Sequence, residues 1–263
     1  MSPETAAASA LTGVITDPRT LGIPYPYVRE PARPVLNADM LVPPLSAARA
    51  AMVTLEKGPN IASLPELDAV PEFLELPVLL MLGDDISTDE ILPAGVRVLP
   101  FRSNIPKISG FTFDMVDPTY PDRALEIRES SGHAIVAGRN YGQGSSREHA
   151  ALAPRYLGLR LVIAAGFARI HRQNLVNCGV LPLRFLDPGD RLTIEAGDRL
   201  HIEHVHDQLR AGHEVEVVNE TRDYAFQTAH DLSERQVEVL LAGGLINRAR
   251  QGTERPVAAG ARP

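Results

Sequence analysis

Cysteine is almost absent from these 263 residues: Cys178 stands alone. A single cysteine excludes an internal disulfide and a paired-cysteine metal motif within the chain. It follows a helical stretch and precedes an apolar strand, the setting of a buried structural thiol. Long hydrophobic runs are missing too, and none approaches the ~20 residues that a membrane span requires. The start, MSPETAAASALTG, lacks the basic region and long apolar core of a secretory signal. It also lacks the arginine-rich, acid-poor character of a mitochondrial leader, so a cytoplasmic protein is expected. Positive charge is in deficit: the net charge is −7, which argues against nucleic acid as the main partner. What remains is 44% hydrophobic and 22% charged, the composition of an ordinary soluble protein. The length suits one large domain with an extension, or two domains.

Proline sets the divisions of the chain. Ser2 to Thr12 reads as a helix, with Ser2 as cap, Pro3 at the first position and Gly13 as the stop. Between Asp17 and Pro44 lie Pro18, Pro24, Pro26, Pro31, Pro34, Pro43 and Pro44, a density that forbids regular helix and favours an extended path. This is either a linker or a strap laid across a surface by Ile23, Tyr25, Tyr27, Val35, Leu36, Met40, Leu41 and Val42. Glu66 to Glu75 reads as a second, acidic linker. The expected organisation is therefore a helix and Pro-rich linker over 1–75, a compact domain over 76–250, and a polar, Pro/Ala/Gly-rich, disordered tail over 251–263.

Within the compact part, strand and helix signals alternate. Val78–Leu82 reads as a buried strand, followed by a polar loop to Gly95 that holds the pair Asp84 and Asp85. That pair fits a capped turn better than a hard-cation site, because no full ligand set accompanies it. Tyr120–Ser130 reads as a short helix. Then come a strand at Ala134–Ala137, a glycine-punctuated loop at Gly138–Arg147 and a helix at Glu148–Leu157. A strand at Leu161–Ala165, a helix at Ala168–Asn177 stopped by Gly179, and a strand at Val180–Leu183 follow. This is the order of an α/β crossover sheet that binds ligands at its loop ends. From Leu192 to Phe226 short alternating runs predict antiparallel strands, and Asp231–Leu241 a terminal helix with Ser233 near its cap and Gly243-Gly244 as its close. His201, His204 and His206 lie close together and read as solvated strand histidines, without a third metal ligand.

The chemistry concentrates in Gly142-Gln143-Gly144-Ser145-Ser146-Arg147-Glu148-His149. Two glycines let the backbone turn sharply and leave N–H groups open. Two serines at a helix start sit where donors and the helix dipole stabilise an anion, with Ser145 or Ser146 as the expected N-cap. Arg147 adds a planar fork suited to carboxylate or phosphate. Taken alone, the short motif is also what a glycine turn with an ordinary serine cap looks like.

The longer string decides between them. From Gly138 to Phe185, GRNYGQGSSREHAALAPRYLG followed by FARIHRQNLVNCGVLPL closely resembles the signature of the aconitase family, in its mobile C-terminal swivel domain. The resemblance implies an α/β fold, a swivelling β/β/α three-layer domain preceded by an extended Pro-rich segment. It implies Ser145 as catalytic base, with Ser146 and Arg147 holding substrate carboxylates and Gly144 supporting the turn. The segment Asp85-Ile86-Ser87-Thr88-Asp89 is similar to the family's D-x-x-T-D motif, which points to Asp89 as the residue that orients an arginine or serine. Phe101-Arg102, with Ile108 and Ser109 at the family's spacing, points to Arg102 as the clamp on a distal carboxylate. SPETAAASALTG resembles the last helix of the family's iron–sulfur body, and the segments around Thr16–Arg19 and Gly58–Ile61 its connection to the swivel domain.

The family removes and re-adds water beside carboxylates. Its 4Fe–4S cluster is held by three cysteines of the body, and this chain has one cysteine, in the wrong place. The resemblance therefore implies that this chain binds no metal, and that the cluster comes from a large cluster-bearing subunit or a missing N-terminal body. The expected activity is that of a hydro-lyase part: the C-terminal, small-subunit-like piece of an aconitate hydratase acting on a tricarboxylic acid, inactive without its partner. The small subunit of isopropylmalate or homoaconitate isomerase is the alternative within the class, and a non-catalytic swivel-fold interaction module the alternative outside it.

Overall fold

The computed structural model describes residues 1–24, 27, 29–34 and 36–253. Tyr25 and Val35 of the expected strap, and 254–263 of the expected tail, lie outside the described residues. The chain divides into two units, Met1–Leu55 and the remainder from Glu56.

In the first unit, α1 (Pro3–Thr12) forms where the cap signals place it: the Ser2 hydroxyl accepts from the Thr5 N–H at 3.2 Å, and the Gly13 N–H closes on the Ser9 carbonyl. A 3₁₀ turn at Pro18–Leu21 is capped by Asp17, and α2 (Ala47–Ala50) is a single turn. Between them, the described residues from 22 to 46 form neither helix nor strand.

Among its described residues the second unit is built on seven strands: β1 (Leu74–Met81), β2 (His133–Ala137), β3 (Leu159–Ala164), β4 (Leu181–Phe185), β5 (Arg199–Ile202), β6 (Glu214–Asn219) and β7 (Tyr224–Ala229). Its helices are α3 (Thr88–Ile91), α4 (Ile105–Ile108), α5 (Tyr120–Ile127), α6 (His149–Tyr156), α7 (Arg169–Asn177), α8 (Val205–Ala211), α9 (Glu234–Leu241) and α10 (Leu245–Thr253). Strands β1 to β4 run parallel, as crossover connections require, while β7, β6 and β5 pair antiparallel and return to β1. The sheet thus closes in the order β1-β2-β3-β4-β7-β6-β5. The mixed α/β class agrees with the sequence reading. Closure does not follow from a strand–helix alternation, because it depends on β5 reaching the far edge of β1.

Period-two side-chain alternation divides the strands between two cores. Val136, Leu161, Ile163, Leu181 and Leu183 pack with Val215, Val217 and Phe226. Ile135, Ala137, Val162 and Ala164 turn the other way, onto Ile91, Ile105, Tyr120 and Ala150 of the helices. Each large side chain so buried contributes ~1.5–3 kcal/mol. That second core fixes α3, α4 and α6 beside the carboxyl ends of β1 and β2.

Three local readings change. The acidic segment 66–75 is no linker: the Val70 N–H donates to the Leu241 carbonyl at 3.1 Å, and Leu74–Pro77 pair with β5. Its apolar residues alternate with the acids, and Val70 and Leu74 are buried. The three histidines do not share a strand, because only His201 lies on β5; His204 takes a left-handed conformation at the start of α8, and His206 lies within it. After Gly243-Gly244 the chain forms α10, held by the Asn247 side chain donating to the Leu67 carbonyl at 2.6 Å.

Candidate active site

The loop after β2 lies on the loop after β1. The Gly142 and Gln143 N–H groups both reach the Ile86 carbonyl, and the Thr88 N–H returns to the Gln143 carbonyl at 2.8 Å. Beneath, Asp84 accepts from the Arg139 N–H at 2.7 Å and pairs with its guanidinium, while Asp85 accepts from Asn140 at 2.9 Å. Those bonds from the Arg139 backbone and side chain hold the Asp84 carboxyl below its ordinary range. The two aspartates therefore brace the loop after β2 from 55 residues away, where the sequence reading had them capping their own turn. Gly142 has a φ of +82°, and a Cβ there would meet the His171 ring at 2.1 Å, so this close approach admits only glycine.

Above this base, Gly144 turns with a φ of +100° and presents Ser145 and Ser146 to solvent. The Ser145 N–H donates to the hydroxyl of buried Thr88 at 3.2 Å. Neither serine caps α6: its N-cap is Glu148, without a side-chain hydrogen bond, and the helix begins at His149. The loop stays extended through Arg147 because Thr88 and Arg147 tie it to α3, so the serines stand ahead of the first turn instead of within it. As a result the N–H groups of residues 146–149 donate to no other group among the described residues, leaving a row of open donors beside two exposed hydroxyls.

Arg147 is held from three sides. Its guanidinium meets Asp89 at 2.7 Å, the Leu92 carbonyl at 3.0 Å and the Thr88 hydroxyl at 3.5 Å. Arg102 comes from a different segment, between a 3₁₀ turn at Leu99–Phe101 and α4. Its guanidinium is exposed, and its own carbonyl accepts from His149 Nε2 at 2.6 Å. A carbonyl only accepts, so Nε2 carries the proton. His149 thus joins the Arg102 segment to the helix that follows Ser145, Ser146 and Arg147. The structure brings all of these residues, with Asp89 and Gly144, to one end of the sheet.

Thr88, His149 and His171 are the residues that sequence reasoning passed over. Thr88 was visible as the first residue inside a Ser87–Glu90 capping box, which the structure forms in full. His149 ends the motif itself, but its partner is a backbone carbonyl 47 residues away. His171 left no signal beyond its place in the matching string.

The sequence profile of the aconitase C-terminal domain matches residues 112–188, which takes in the Ser145 loop but not Asp89 or Arg102. Over 169 residues the chain is 36% identical to the 3-isopropylmalate dehydratase small subunit 2 of Archaeoglobus fulgidus, covering 64% of this chain and 90% of that one. The chain belongs to the aconitase family. It is also 30% identical to the mitochondrial aconitate hydratase of Gracilaria gracilis, over 81% of this chain and 30% of that enzyme. The chain thus spans about a third of the length of the aconitate hydratases it matches. The crystal structure of 3-isopropylmalate dehydratase (LeuD) from Methanocaldococcus jannaschii superposes with a TM-score of 0.56 at 28% identity, over 69% of this chain and 95% of that one.

A 4Fe–4S cluster does not fit the residues of this member of the family. Cys178 is buried against the second core, and burial pushes its thiol up to about 12, far from the thiolate a cluster iron takes. Among the described residues no three His, Cys, Asp or Glu side chains are grouped to hold a metal.

Proposed function

We propose that this chain is the C-terminal, swivel-domain part of an aconitate hydratase, interconverting citrate and isocitrate through cis-aconitate. The observation that carries this reading is the extent of the match. The Gracilaria aconitate hydratase aligns with 81% of this chain, whereas the Archaeoglobus small subunit aligns with 64%. The added reach favours a chain laid out like the end of an aconitate hydratase.

In this reading Ser145 Oγ first gives up its own proton to solvent and then, as an alkoxide, takes the proton from the carbon next to a substrate carboxylate, whose C–H electron pair passes to the carboxylate. Ser146, Arg147 and the open N–H groups of residues 146–149 hold the carboxylate on which charge develops. Arg102 reaches the distal carboxylate as a two-pronged donor. Asp89 and Thr88 keep the Arg147 fork in one orientation, so that no reorganisation is needed as charge builds. A serine is a weak base in water, so the exposed Ser145 hydroxyl has to be enclosed by a second surface. That surface, and the iron–sulfur cluster that family resemblance implies, belong to a body or large subunit that this chain meets.

The second reading, an isopropylmalate-type small subunit, is favoured by the chain's spanning 90% of the Archaeoglobus relative. One experiment separates the two. The chain is mixed with a cluster-bearing aconitase body, and cis-aconitate is followed by its ultraviolet absorbance. Hydration that needs both components supports the first reading. Turnover of isopropylmalate but not cis-aconitate, with a matching large subunit, replaces it with the second.

A further inference from the structure

Residues 56–66, which lead into the second unit, form neither helix nor strand. From Leu67 onward the chain is bolted to the unit: Asn247 donates to the Leu67 carbonyl at 2.6 Å, and buried Arg155 donates to the Asp68 carbonyl at 2.8 Å. Before that point Leu64 and Pro65 face Glu148 and Leu152 of α6 across a cavity of about 130 Å³. The Ile61 N–H closes a turn onto the Gly58 carbonyl at 3.0 Å, and the Ala62 N–H then donates to the Ser103 carbonyl at 2.9 Å. Among the described residues, no other backbone N–H of 56–66 donates beyond the segment. Its one such bond falls beside Arg102.

The Arg102 segment has no ladder of its own to hold it, because it lies between a 3₁₀ turn and α4. It is fixed by single bonds. The Arg102 N–H donates to the Leu99 carbonyl at 3.2 Å, which sets the peptide before Arg102. The Arg102 carbonyl accepts from His149 Nε2, which sets the peptide after it. The Ser103 carbonyl accepts from Ala62, which sets the next. Two adjacent carbonyls are thus taken by donors from two distant segments, His149 on one side and Ala62 on the other. The guanidinium they carry is exposed and has no acidic partner among the described residues. With the backbone pinned, only the side chain remains to be ordered when a carboxylate arrives, and less freedom is lost on binding.

We propose that the entering segment, through the Ala62 N–H, acts with His149 as a two-sided latch that positions Arg102 for its carboxylate. Ala62 and His149 are positioning residues, since neither is the group that meets the acid. The proposal rests on the carboxylate-holding role given to Arg102 above. It adds that this role depends on a segment outside the swivel sheet.

The test uses the full chain, alone and joined with a cluster-bearing aconitase body. Ala62→Pro deletes the N–H, while Ala62→Ser keeps it. His149→Leu and His149→Gln form the matching pair for the other side. In the chain alone, amide nitrogen relaxation at residues 102 and 103 is expected to show order parameters falling from about 0.85 to below ~0.6 in Ala62→Pro and His149→Leu, with the Ser and Gln variants near wild type. In the joined enzyme those two losses should raise KM for cis-aconitate about three- to tenfold, the worth of one hydrogen bond, with kcat little changed. In an Arg102→Gln background they should add nothing further, whereas a general loosening of the fold would add in full. The proposal is overturned if neither loss lowers the order parameters, if Ala62→Ser loosens the segment as much as Ala62→Pro, or if the KM effects persist undiminished without Arg102. If Arg102→Gln alone leaves KM unchanged, the carboxylate role of Arg102 is what fails, and the order parameters of the chain alone still decide whether the latch exists.

Discussion

In the proposed reading Ser145 is the base and Arg102 a carboxylate holder, a division of labour that kinetics can test. Ser145 stands on a left-handed Gly144 turn, its N–H fixed to Thr88 and its hydroxyl open beside free backbone donors. An oxygen placed there gains from the positive end of α6, which matters when it carries charge and little when it does not. Ser145→Ala in the complete enzyme is therefore expected to lower kcat by roughly 10²–10⁴-fold, the range of general acid–base catalysis, while KM changes little. Arg102→Lys keeps the charge but loses the planar fork, so its defect should fall more on KM. Paired kinetics on the two variants at equal cluster occupancy make the comparison. If the Ser145→Ala loss lies wholly in affinity, Ser145 holds a carboxylate instead, and the base is Ser146 or a group on the partner. His149 belongs to this scale too, as the residue that sets where the Arg102 segment lies.

At the scale of elements, α7 carries a pH response. His171 packs under Gly142 and against Tyr141 with ring centroids 5.2 Å apart, and neither ring nitrogen has a partner. Burial lowers its pKa from 6.5 to about 4. His133, at the start of β2, is lowered to about 3 by burial and by nearby Arg123 and Arg160, and pairs with the Tyr120 hydroxyl at 2.7 Å. In the unfolded chain both rings take up a proton near 6.5, and in the folded chain they do not until the pH falls to those lower values. The unfolded state then holds more protons, so stability is complete above that range and falls as the pH drops through it, by ~1.4 kcal/mol per unit for each ring. Urea unfolding from about pH 7 to about pH 5 should show this decline, and His171→Phe should remove about half of the slope. A flat profile would mean that the rings are not held neutral. The same elements show what was legible in the sequence. Ser2, Gly179 and Ser233 announced helix ends because caps are local chemistry: Val180 and Gly179 close α7 by donating back to Leu175 and Val176, and Ser233 forms a box with Gln236. The Ser145–Arg147 loop was legible as a string. Its displacement from the helix cap, its bracing by Asp84 and the His149 bond to Arg102 were not, because each joins segments 47 or more residues apart.

For the whole molecule, the boundary of the compact unit is the feature that sequence composition placed too late. Prolines and acids between 65 and 77 read as a linker, yet they border strand and core. His206 Nε2 donates to the Val70 carbonyl at 2.7 Å, the Val70 N–H donates to Leu241, and Leu74, Glu75 and Leu76 lie opposite Ile202, His201 and Leu200. The β1–β5 ladder is the seam that closes the sheet, so its loss opens an edge on both strands. A chain beginning at Glu56 keeps every one of these contacts and is expected to unfold in a single thermal transition close to that of the same unit in the full chain. A chain beginning at Leu76 loses Val70 and Leu74 from the core, at ~1.5–3 kcal/mol each, together with half of the ladder. For a unit of this size each lost kcal/mol lowers Tm by roughly 2–4 °C, so the shorter chain should melt at least ~6–10 °C lower, or fail to fold. Circular dichroism melting of the two truncations decides the point. Equal melting temperatures would mean that the segment before Leu76 lies on the unit without stabilising it, and that the pairs Leu76–Leu200 and Pro77–Arg199 suffice to keep the sheet closed.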